Sequence, residues 1–258
     1  MVQLQRLAIA PEQIQNEHLD LTAEQQHYLG RVLRLKQGDR FIIIQDKGQW
    51  WIAELIVNLP AASPQAKLIE IVSIQTELPL EIILIVALPK GDGFEEIVRC
   101  CTELGVTQFI PVISARTMLK PSSQKVERWR RIATEATEQS ERQIVPTIGD
   151  PVSFKSGLLT VQSGYQYICE ARGNYQSLMQ ELISFETGEI PNKMIIATGP
   201  EGGWTQEEIE DAIAAEFQPV SLGKRILRAV TAPIVAVSQI VGIIEIGNRE
   251  QGTGNSKP

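Results

Sequence analysis

The sequence predicts an α/β protein in which a small β-rich domain precedes a larger domain of alternating strands and helices. The continuous apolar run Ile82–Leu88 is typical of a strand that is buried on both faces of a parallel sheet. Helical and strand-like stretches alternate after this run, which favours right-handed βαβ units. The first third instead holds short β-branched runs between turn signals, which indicates a barrel-like β domain. Near Thr76 the sequence pattern changes from short β-branched runs to alternating strands and helices. We therefore expect domains at residues 1–75 and 76–250 and a frayed tail at residues 251–258.

Three strands are predicted in the first domain. Phe41–Gln45 and Trp51–Val57 are short β-branched runs, and Asp46-Lys47-Gly48 between them is a hairpin turn signal. Lys67–Ile74 alternates apolar and polar residues, as a half-buried strand does.

One helix is predicted to interrupt these strands. Thr22 is its expected N-cap, and Leu29, Val32 and Leu33 fall on one helical face. Gly38-Asp39 ends the segment.

The second domain is predicted to continue with helices and strands in turn. A helix from Phe94 to Leu104 is expected to end at Gly105, because glycine is the usual C-terminal stop. Another helix begins with the capping box Thr205-x-x-Glu208. The further strand candidates are Phe109–Ile113, Gln166–Cys169, Lys193–Thr198 and Pro219–Leu222.

The composition is that of a globular protein without a disulfide framework or a zinc site. Of 258 residues, 43% are hydrophobic and 21% are charged, which argues against a disordered chain. The three cysteines include the neighbours Cys100 and Cys101 and are expected to be reduced, and two histidines give no Cys/His zinc spacing. The N-terminus lacks the apolar core of a signal peptide, and no apolar run reaches the roughly 18 residues of a membrane helix. We therefore expect a cytoplasmic protein with neither a membrane partner nor a metal.

A glycine-rich segment, Gly199-Pro-Glu-Gly-Gly-Trp204, follows the predicted strand that ends at Thr198. Such a turn between a strand and a helix lets backbone amides approach a ligand, and the helix N-terminus favours negative charge. The spacing matches neither the dinucleotide-binding fingerprint nor the P-loop. This glycine loop (residues 199–204) is therefore either a tight structural turn or a ligand loop.

A second segment, the basic loop (residues 222–228), carries Lys224, Arg225 and Arg228. Residues 217–244 hold no acidic side chain, so these three cations are locally uncompensated. The loop follows a predicted strand and lies at the carboxyl edge of the sheet, where open α/β folds bind ligands. Three cations so close together suit phosphate oxygens, and the alternative is an ordinary solvated loop.

The segment from Ala115 to Arg142 also carries more basic than acidic residues, in a chain whose formal charge is −7. A basic helical face can follow a nucleic-acid backbone, although a solvated face is the commoner outcome, and Trp129 is expected to pack within its own domain. The total charge by itself speaks against a nucleic-acid binder, but phosphates respond to charge within a Debye length of about 10 Å. The acidic total therefore limits non-specific binding and does not exclude RNA. The basic residues are Arg116, Lys120, Lys125, Arg128, Arg130, Arg131 and Arg142, and the acidic ones are Glu127, Glu135, Glu138 and Glu141.

The glycine loop and the basic loop together resemble the SPOUT class of methyltransferases. More closely, they resemble the family that methylates ring nitrogen three of a uridine in small-subunit ribosomal RNA. Further matching pieces occur in the expected order across nearly the whole chain, and the combination is specific although each piece alone is weak. These pieces are His27–Leu35, Thr102–Val106, Glu127–Trp129 and Glu138–Arg142.

The resemblance implies an N-terminal PUA-like β-barrel, a C-terminal α/β domain threaded into a trefoil knot, and a homodimer. It also implies that S-adenosylmethionine binds in the knotted loops, where backbone groups hold the adenine and the methionine part. The implied cofactor residues are Thr198, Gly199, Gly202 and Gly203 on one wall and Leu222, Gly223 and Leu227 on the other.

The implied reaction transfers a methyl group from the sulfonium to the uracil nitrogen of 16S rRNA, free or in the small ribosomal subunit. Neither a metal nor a covalent enzyme intermediate is required. Because the uracil N–H must lose its proton, a nearby cation would stabilise the resulting anion, and Arg228 is the candidate. Glu201 is either the base or a cap of the glycine loop. The implied RNA contacts are Arg6, Arg31, Arg116, Lys224 and Arg225.

Two positions depart from the family pattern. The family usually has Glu where this chain has Val230, and Lys where this chain has Cys100. The first difference weakens any role for an acid at residue 230 as a base or a cofactor contact. The alternatives are another SPOUT member that modifies a ribose hydroxyl or a tRNA base, and an RNA-binding assembly factor that kept the fold without turnover. An NAD-binding Rossmann protein is disfavoured because its glycine fingerprint is missing.

Overall fold

The computed structural model describes residues 4–45, 48–63, 65–161, 163–185 and 191–252. The chain forms two compact units. The first consists of Met1–Glu77 and Thr137–Val145, and the second consists of Leu78–Ala136 and Pro146–Pro258.

The first unit contains a six-stranded sheet in the order β1-β4-β5-β6-β3-β2. β1 pairs parallel with β4, and the other neighbours pair antiparallel. The predicted pairing of the two β-branched runs is confirmed, while Asp46 and Lys47 of the predicted turn lie outside the described residues. Among the described strands, no ladder closes the path into a complete barrel. The strands are β1 Arg6–Ala8, β2 Ile14–Gln15, β3 His18–Leu19, β4 Arg40–Ile44, β5 Trp50–Leu55 and β6 Ala66–Val72.

The predicted helix of this unit is present but changes its winding. Thr22 caps α1 (Ala23–His27) by accepting a hydrogen bond from the Gln25 backbone N–H at 3.2 Å, as predicted. The next five residues, Tyr28–Val32, wind as a π-helix. Leu29 is fully buried, but Val32 is 58% exposed, so its predicted place on the apolar face is wrong. A π-helical turn holds more residues than an α-helical turn, which rotates the following side chains away from the expected face.

The chain returns to the first unit at residues 137–145, which the sequence pattern assigned to the second domain. Two carboxylates tie this return segment to the unit. Glu138 accepts a hydrogen bond from the Ala8 backbone N–H at 2.7 Å, and the buried Arg142 guanidinium binds Glu77 at 2.6 Å. The boundary therefore falls after Glu77, and the return segment belongs with the first unit.

The second unit contains a sheet in the order β10-β8-β7-β12-β11-β13, with β9 also on β8, and every ladder is parallel. The predicted alternation of strands and helices is confirmed. The strands are β7 Glu81–Ala87, β8 Gln108–Ile113, β9 Thr147–Ile148, β10 Val152–Ser153, β11 Tyr165–Cys169, β12 Lys193–Thr198 and β13 Gln218–Val220. The helices are α2 Gly93–Glu103, α3 Ser123–Gln139, α4 Phe154–Leu159, α5 Leu178–Ile183, α6 Gln206–Ala214 and α7 Thr231–Gly252.

The last helix extends into the segment that was expected to be a frayed tail. α7 continues to Gly252, two residues into the expected tail, and residues 253–258 lie outside the described residues.

Both faces of the central strand β7 are covered, as its apolar run predicts. Ile83, Ile85 and Ala87 pack into one cluster with buried residues of α4 and α6. The alternate residues point to the other face, where α7 contacts β7 and β12. The sheet therefore forms the middle layer of the second unit.

An aromatic cluster connects α2, α3 and β8 within the second unit. The Trp129 ring is fully buried and lies edge-on to Phe94, with 4.5 Å between ring centroids. Phe94 in turn meets Phe109 edge-on at 6.4 Å. The predicted packing of Trp129 within its own domain is thus confirmed.

Replacing Trp129 with Ala is expected to lower the free energy of unfolding by about 3–5 kcal/mol, because the removed ring leaves a cavity among buried aromatic neighbours. Guanidinium-induced unfolding measures this loss. Leu159→Ala is the matched control, since Leu159 is 70% exposed at the end of α4 and should change stability by no more than about 0.5 kcal/mol. Equal losses in both variants would contradict the packing role.

Candidate functional site

Three neighbouring strands of the second unit end side by side and define the candidate site. Cys169 at the end of β11 is in register with Thr198 of β12 and with Val220 of β13. The glycine loop follows β12, and the basic loop follows β13. Because carboxyl ends of parallel strands meet at one edge, the two loops that the sequence singled out lie at the same edge, one strand apart.

The glycine loop is a tight turn that leads into a capped helix. The Gly203 backbone N–H donates to the Pro200 carbonyl at 2.9 Å, and Gly203 has φ +69°. Thr205 and Glu208 form the predicted capping box of α6. A Cβ at Gly203 would meet nothing within 4 Å, so the loop is open on that side. The segment is therefore a structural turn that also leaves room for a ligand.

Trp204 anchors the end of the glycine loop in the core. Its buried ring stacks on Phe154 with 4.4 Å between centroids, and its indole N–H donates to the Cys169 carbonyl at 3.1 Å. A Cβ on Gly199 would lie 3.2 Å from this indole, so the strand end passes close to the ring.

Two charged side chains that the sequence assigned to chemistry and RNA hold the glycine loop in place. Glu201 Oε1 accepts a hydrogen bond from the Lys90 backbone N–H at 2.9 Å. Arg116 Nη1 donates to the carbonyls of Gly202 at 2.6 Å and Trp204 at 3.0 Å. The loop is thus fixed to the segment after β7 and to the segment after β8. Sequence spacing gave no signal for either contact.

The basic loop presents its charges to solvent. Lys224, Arg225 and Arg228 are exposed, and none makes an ion pair with any residue that the structure describes. Gly223 has φ +117° and open space where a Cβ would stand. The Arg228 carbonyl accepts hydrogen bonds from the first turn of α7, at 2.9 Å from the Thr231 N–H. The end of this loop is therefore tied to α7, while its three cations are exposed.

A third loop, residues 170–177, lies between the two and was missed by the sequence analysis. Its backbone is bonded to the start of the basic loop, because the Ser221 N–H donates to the Gln176 carbonyl at 2.9 Å. It exposes Arg172 and Tyr175. Its position directly after the predicted strand Gln166–Cys169 could have identified it, because open α/β folds bind ligands at the carboxyl edge of the sheet.

The Cys169 thiol is unreactive although it lies at this edge of the sheet. Burial raises the pKa of its thiol to about 12. The thiol therefore stays protonated at neutral pH and is a poor nucleophile.

Four basic residues of the segment from Ala115 to Arg142 are paired with acids that lie outside it. Lys125 binds Asp92 at 3.0 Å, and its hydrogen bond lowers the pKa of that carboxyl. Arg128 binds Glu95 at 2.8 Å. Arg130 pairs with Asp150 at 2.8 Å, and Arg142 pairs with Glu77. With these four cations paired, the solvated face is favoured over a free nucleic-acid surface.

The two remaining predicted RNA contacts lie in the first unit and differ in exposure. Arg6 is 11% exposed, pairs with Glu141 at 2.8 Å and sits over the Trp50 ring at 5.2 Å. Its positive charge is therefore paired within the first unit. Arg31 is exposed on the π-helical turn.

The residues expected to hold S-adenosylmethionine fit such a ligand. The Thr198 Oγ1 is buried and has no hydrogen-bond partner among the described residues, which leaves an unused polar group at the strand end. Gly203 and Gly223 leave open space on the two loops. Leu222 and Leu227 are half-buried and supply an apolar wall. Backbone groups, apolar contacts and a free hydroxyl suit an adenosine and amino-acid ligand.

No helix within the described ranges is long and apolar enough to cross a membrane. Those ranges also contain no cluster of three or more His, Cys, Asp or Glu side chains that could hold a metal ion.

The parallel sheet defines an α/β domain in which a glycine loop and a cationic loop lie at one edge. Residues 76–241 match the family model of the RNA methyltransferase domain, and residues 21–58 match that of the RNA methyltransferase PUA domain. The chain belongs to the RNA methyltransferase family.

Named relatives sharpen this assignment. The chain is 51% identical to the ribosomal RNA small subunit methyltransferase E of Synechocystis sp. over 242 residues, which cover 93% of this chain and 78% of the relative. It is 34% identical to the protein of the same name in Bacillus subtilis, over 85% of this chain and 88% of the relative. The solved structure of ribosomal RNA small subunit methyltransferase E from Neisseria gonorrhoeae bound to S-adenosyl methionine is 30% identical, with a TM-score of 0.80 over 92% of this chain and 96% of that chain.

Proposed function

We propose that the protein is an S-adenosylmethionine-dependent methyltransferase that methylates N3 of a uridine in the 16S rRNA of the small ribosomal subunit. The main observation behind this proposal is that the glycine loop and the basic loop lie at the same edge of the sheet, one strand apart. One loop suits the cofactor and the other suits RNA phosphates. The named relatives support the substrate class, and the cofactor in the Neisseria gonorrhoeae structure supports the methyl donor.

The cofactor is held mainly by backbone and small side chains. When bound, S-adenosylmethionine supplies an electrophilic methyl group on its sulfonium. The free Thr198 hydroxyl would bind a polar group of the ligand at the end of β12. One wall is Thr198, Gly199, Gly202 and Gly203, and the other is Leu222, Gly223 and Leu227.

The basic loop acts on the RNA side of the site. Lys224 and Arg225 bind phosphate oxygens, which fixes the uridine near the cofactor loops. Arg31 supplies a further exposed cation in the unit that contains the PUA-domain match. Arg228 stabilises the negative charge that develops on the uracil as N3 loses its proton.

The role of Glu201 follows from its hydrogen bond. Its Oε1 is engaged by the Lys90 backbone N–H. This contact favours the loop-capping role over the role of the base, and the exposed position of the site gives the N3 proton a path to water.

Three further features belong to the same proposal. A trefoil knot in the second unit is proposed from the family resemblance. We also propose a PUA-like barrel for the first unit and a homodimer in the cytoplasm, in line with the family resemblance.

A second candidate function is an RNA-binding assembly factor without turnover. It rests on Val230, which stands where the family usually has Glu. A Cβ added at Gly93 would lie 2.9 Å from Val230 Cγ2, so this side chain packs against the start of α2 and supplies no charge. Cys100 is the other position that departs from the family pattern. Burial raises the pKa of its thiol, so the side chain is neutral and does not supply the positive charge of a lysine.

Mass mapping of nucleotides separates these functions. After incubation of unmethylated small subunits or 16S rRNA with the protein and S-adenosylmethionine, we expect one added methyl group on the base of a uridine. Methylation of a ribose or a purine would contradict the substrate assignment. RNA binding without any methyl transfer would favour the assembly factor.

A further inference from the structure

The side chain of Arg116 is committed to the glycine loop. Its Nη1 donates to the Gly202 and Trp204 carbonyls, and its aliphatic stem lies so close to Gly202 that an added Cβ would be 3.0 Å from Arg116 Cδ. Charge-assisted hydrogen bonds of this kind are stronger than neutral ones. Arg116 therefore both covers and fixes the middle of the loop.

The position of Arg116 is itself fixed by a buried carboxylate. Glu208 Oε1 accepts a hydrogen bond from the Ala115 N–H at 2.7 Å, and Oε2 accepts one from the Thr205 N–H at 2.8 Å. Ser114 and Thr117 close the turn that presents Arg116, with the Thr117 N–H donating to the Ser114 carbonyl at 3.1 Å. The segment after β8 and the start of α6 are thus one hydrogen-bonded assembly.

Glu201 provides the second attachment through the Lys90 backbone N–H, in the segment that follows the adjacent strand β7. Three loop carbonyls already accept hydrogen bonds. Those of Gly202 and Trp204 accept from Arg116, and that of Pro200 accepts from the Gly203 N–H within the turn. The remaining backbone groups of the loop are the ones available to a ligand. The attachments therefore limit which backbone groups of the loop a ligand can bind.

We infer that Arg116, with Glu201 as its counterpart, is a positioning residue that preorganises the glycine loop for cofactor binding and is not a contact to RNA phosphate. This inference rests on the proposed function, because it names how that cofactor site is held. Preorganisation reduces the ordering cost of binding, so its loss weakens affinity without removing a ligand contact.

The test compares Arg116→Gln with Arg225→Gln, which removes an exposed arginine of the basic loop. Calorimetry with S-adenosylmethionine should show about ten- to a hundred-fold weaker binding for Arg116→Gln. Binding of 16S rRNA at several salt concentrations should be unchanged for that variant. Arg225→Gln should instead keep cofactor affinity and lower the salt slope of RNA binding by about 1. The opposite pattern would overturn the inference.

Arg116→Lys separates charge from geometry. Lysine keeps the positive charge but lacks the guanidinium fork, so it should not restore full cofactor affinity. Full restoration would assign Arg116 a purely electrostatic role and would overturn the inference. Thermal unfolding of each variant checks that the fold is retained.

Hydrogen exchange of the Gly203 amide, which donates to the Pro200 carbonyl in the turn, tests the inference without any cofactor. Exchange should be faster in Arg116→Gln and in Glu201→Ala, which removes the acceptor for the Lys90 N–H, than in the wild-type protein. An unchanged exchange rate in both variants would contradict the positioning role. If the wild-type protein binds no S-adenosylmethionine, the proposed function fails, and the exchange rates still decide how the loop is held.

Discussion

Replacing Arg228 with Ala is expected to lower the rate of uridine methylation by about 10²–10³-fold, while the affinity for S-adenosylmethionine changes little. The reason is that an exposed guanidinium without an ion-pair partner among the described residues can stabilise charge that develops only during the reaction. Single-turnover methyl transfer to 16S rRNA gives the rate, and calorimetry gives the cofactor affinity.

Arg228→Lys is the matched control for this substitution. It keeps a cation on the same backbone, whose carbonyl accepts the hydrogen bond from the Thr231 N–H at the start of α7. We expect it to retain more of the rate than the Ala variant. Equal losses of rate and cofactor affinity in Arg228→Ala would reassign this residue to cofactor binding.

Replacing Gly223 with Ala is expected to reduce the affinity for S-adenosylmethionine about tenfold or more. Gly223 has φ +117°, a conformation that residues with a Cβ rarely adopt. The strain of about 1–3 kcal/mol would be relieved by a shift of the loop that forms one wall of the proposed cofactor site. Calorimetry with S-adenosylmethionine measures the change.

Gly38→Ala controls for the strain itself. Gly38 also has a positive φ, +89°, and open space around a built Cβ, but it lies in the first unit. Both variants should lose thermal stability, and only Gly223→Ala should lose cofactor affinity. A loss of affinity in both, or in neither, would remove Gly223 from the cofactor wall.

The long elements of the fold could be predicted because hydrophobic periodicity is a local property. β12 was predicted with its observed bounds, Lys193–Thr198, and β7 within one residue at each end. Strands of two residues, such as β9 and β10, were missed because they are too short to show any alternation. The π-helical turn after α1 was missed because nothing in the residue pattern distinguishes it from a continuing α-helix.

The cations of one sequence segment are largely paired with acids from elsewhere in the fold. The segment from Ala115 to Arg142 has a surplus of cations in sequence, but Asp92, Glu95 and Asp150 from other parts of the second unit neutralise it. The basic loop kept its apparent charge because no described acid reaches its cations. Electrostatic partners are set by spatial neighbours, so a surplus in one segment predicts a binding face only where the fold leaves it uncovered.

The sequence by itself determined the two-part organisation, the parallel sheet, and the two loops whose residue types suit a cofactor and a polyanion. The tertiary structure alone decided that β11 stands between β12 and β13, which places these loops one strand apart at the carboxyl edge. It also decided that Arg116 and Glu201 serve the glycine loop, through partners 86 and 111 residues away in the chain. The physical reason is that periodicity and glycine content act within a few residues, whereas strand order and hydrogen-bond partners are fixed only when distant segments pack together.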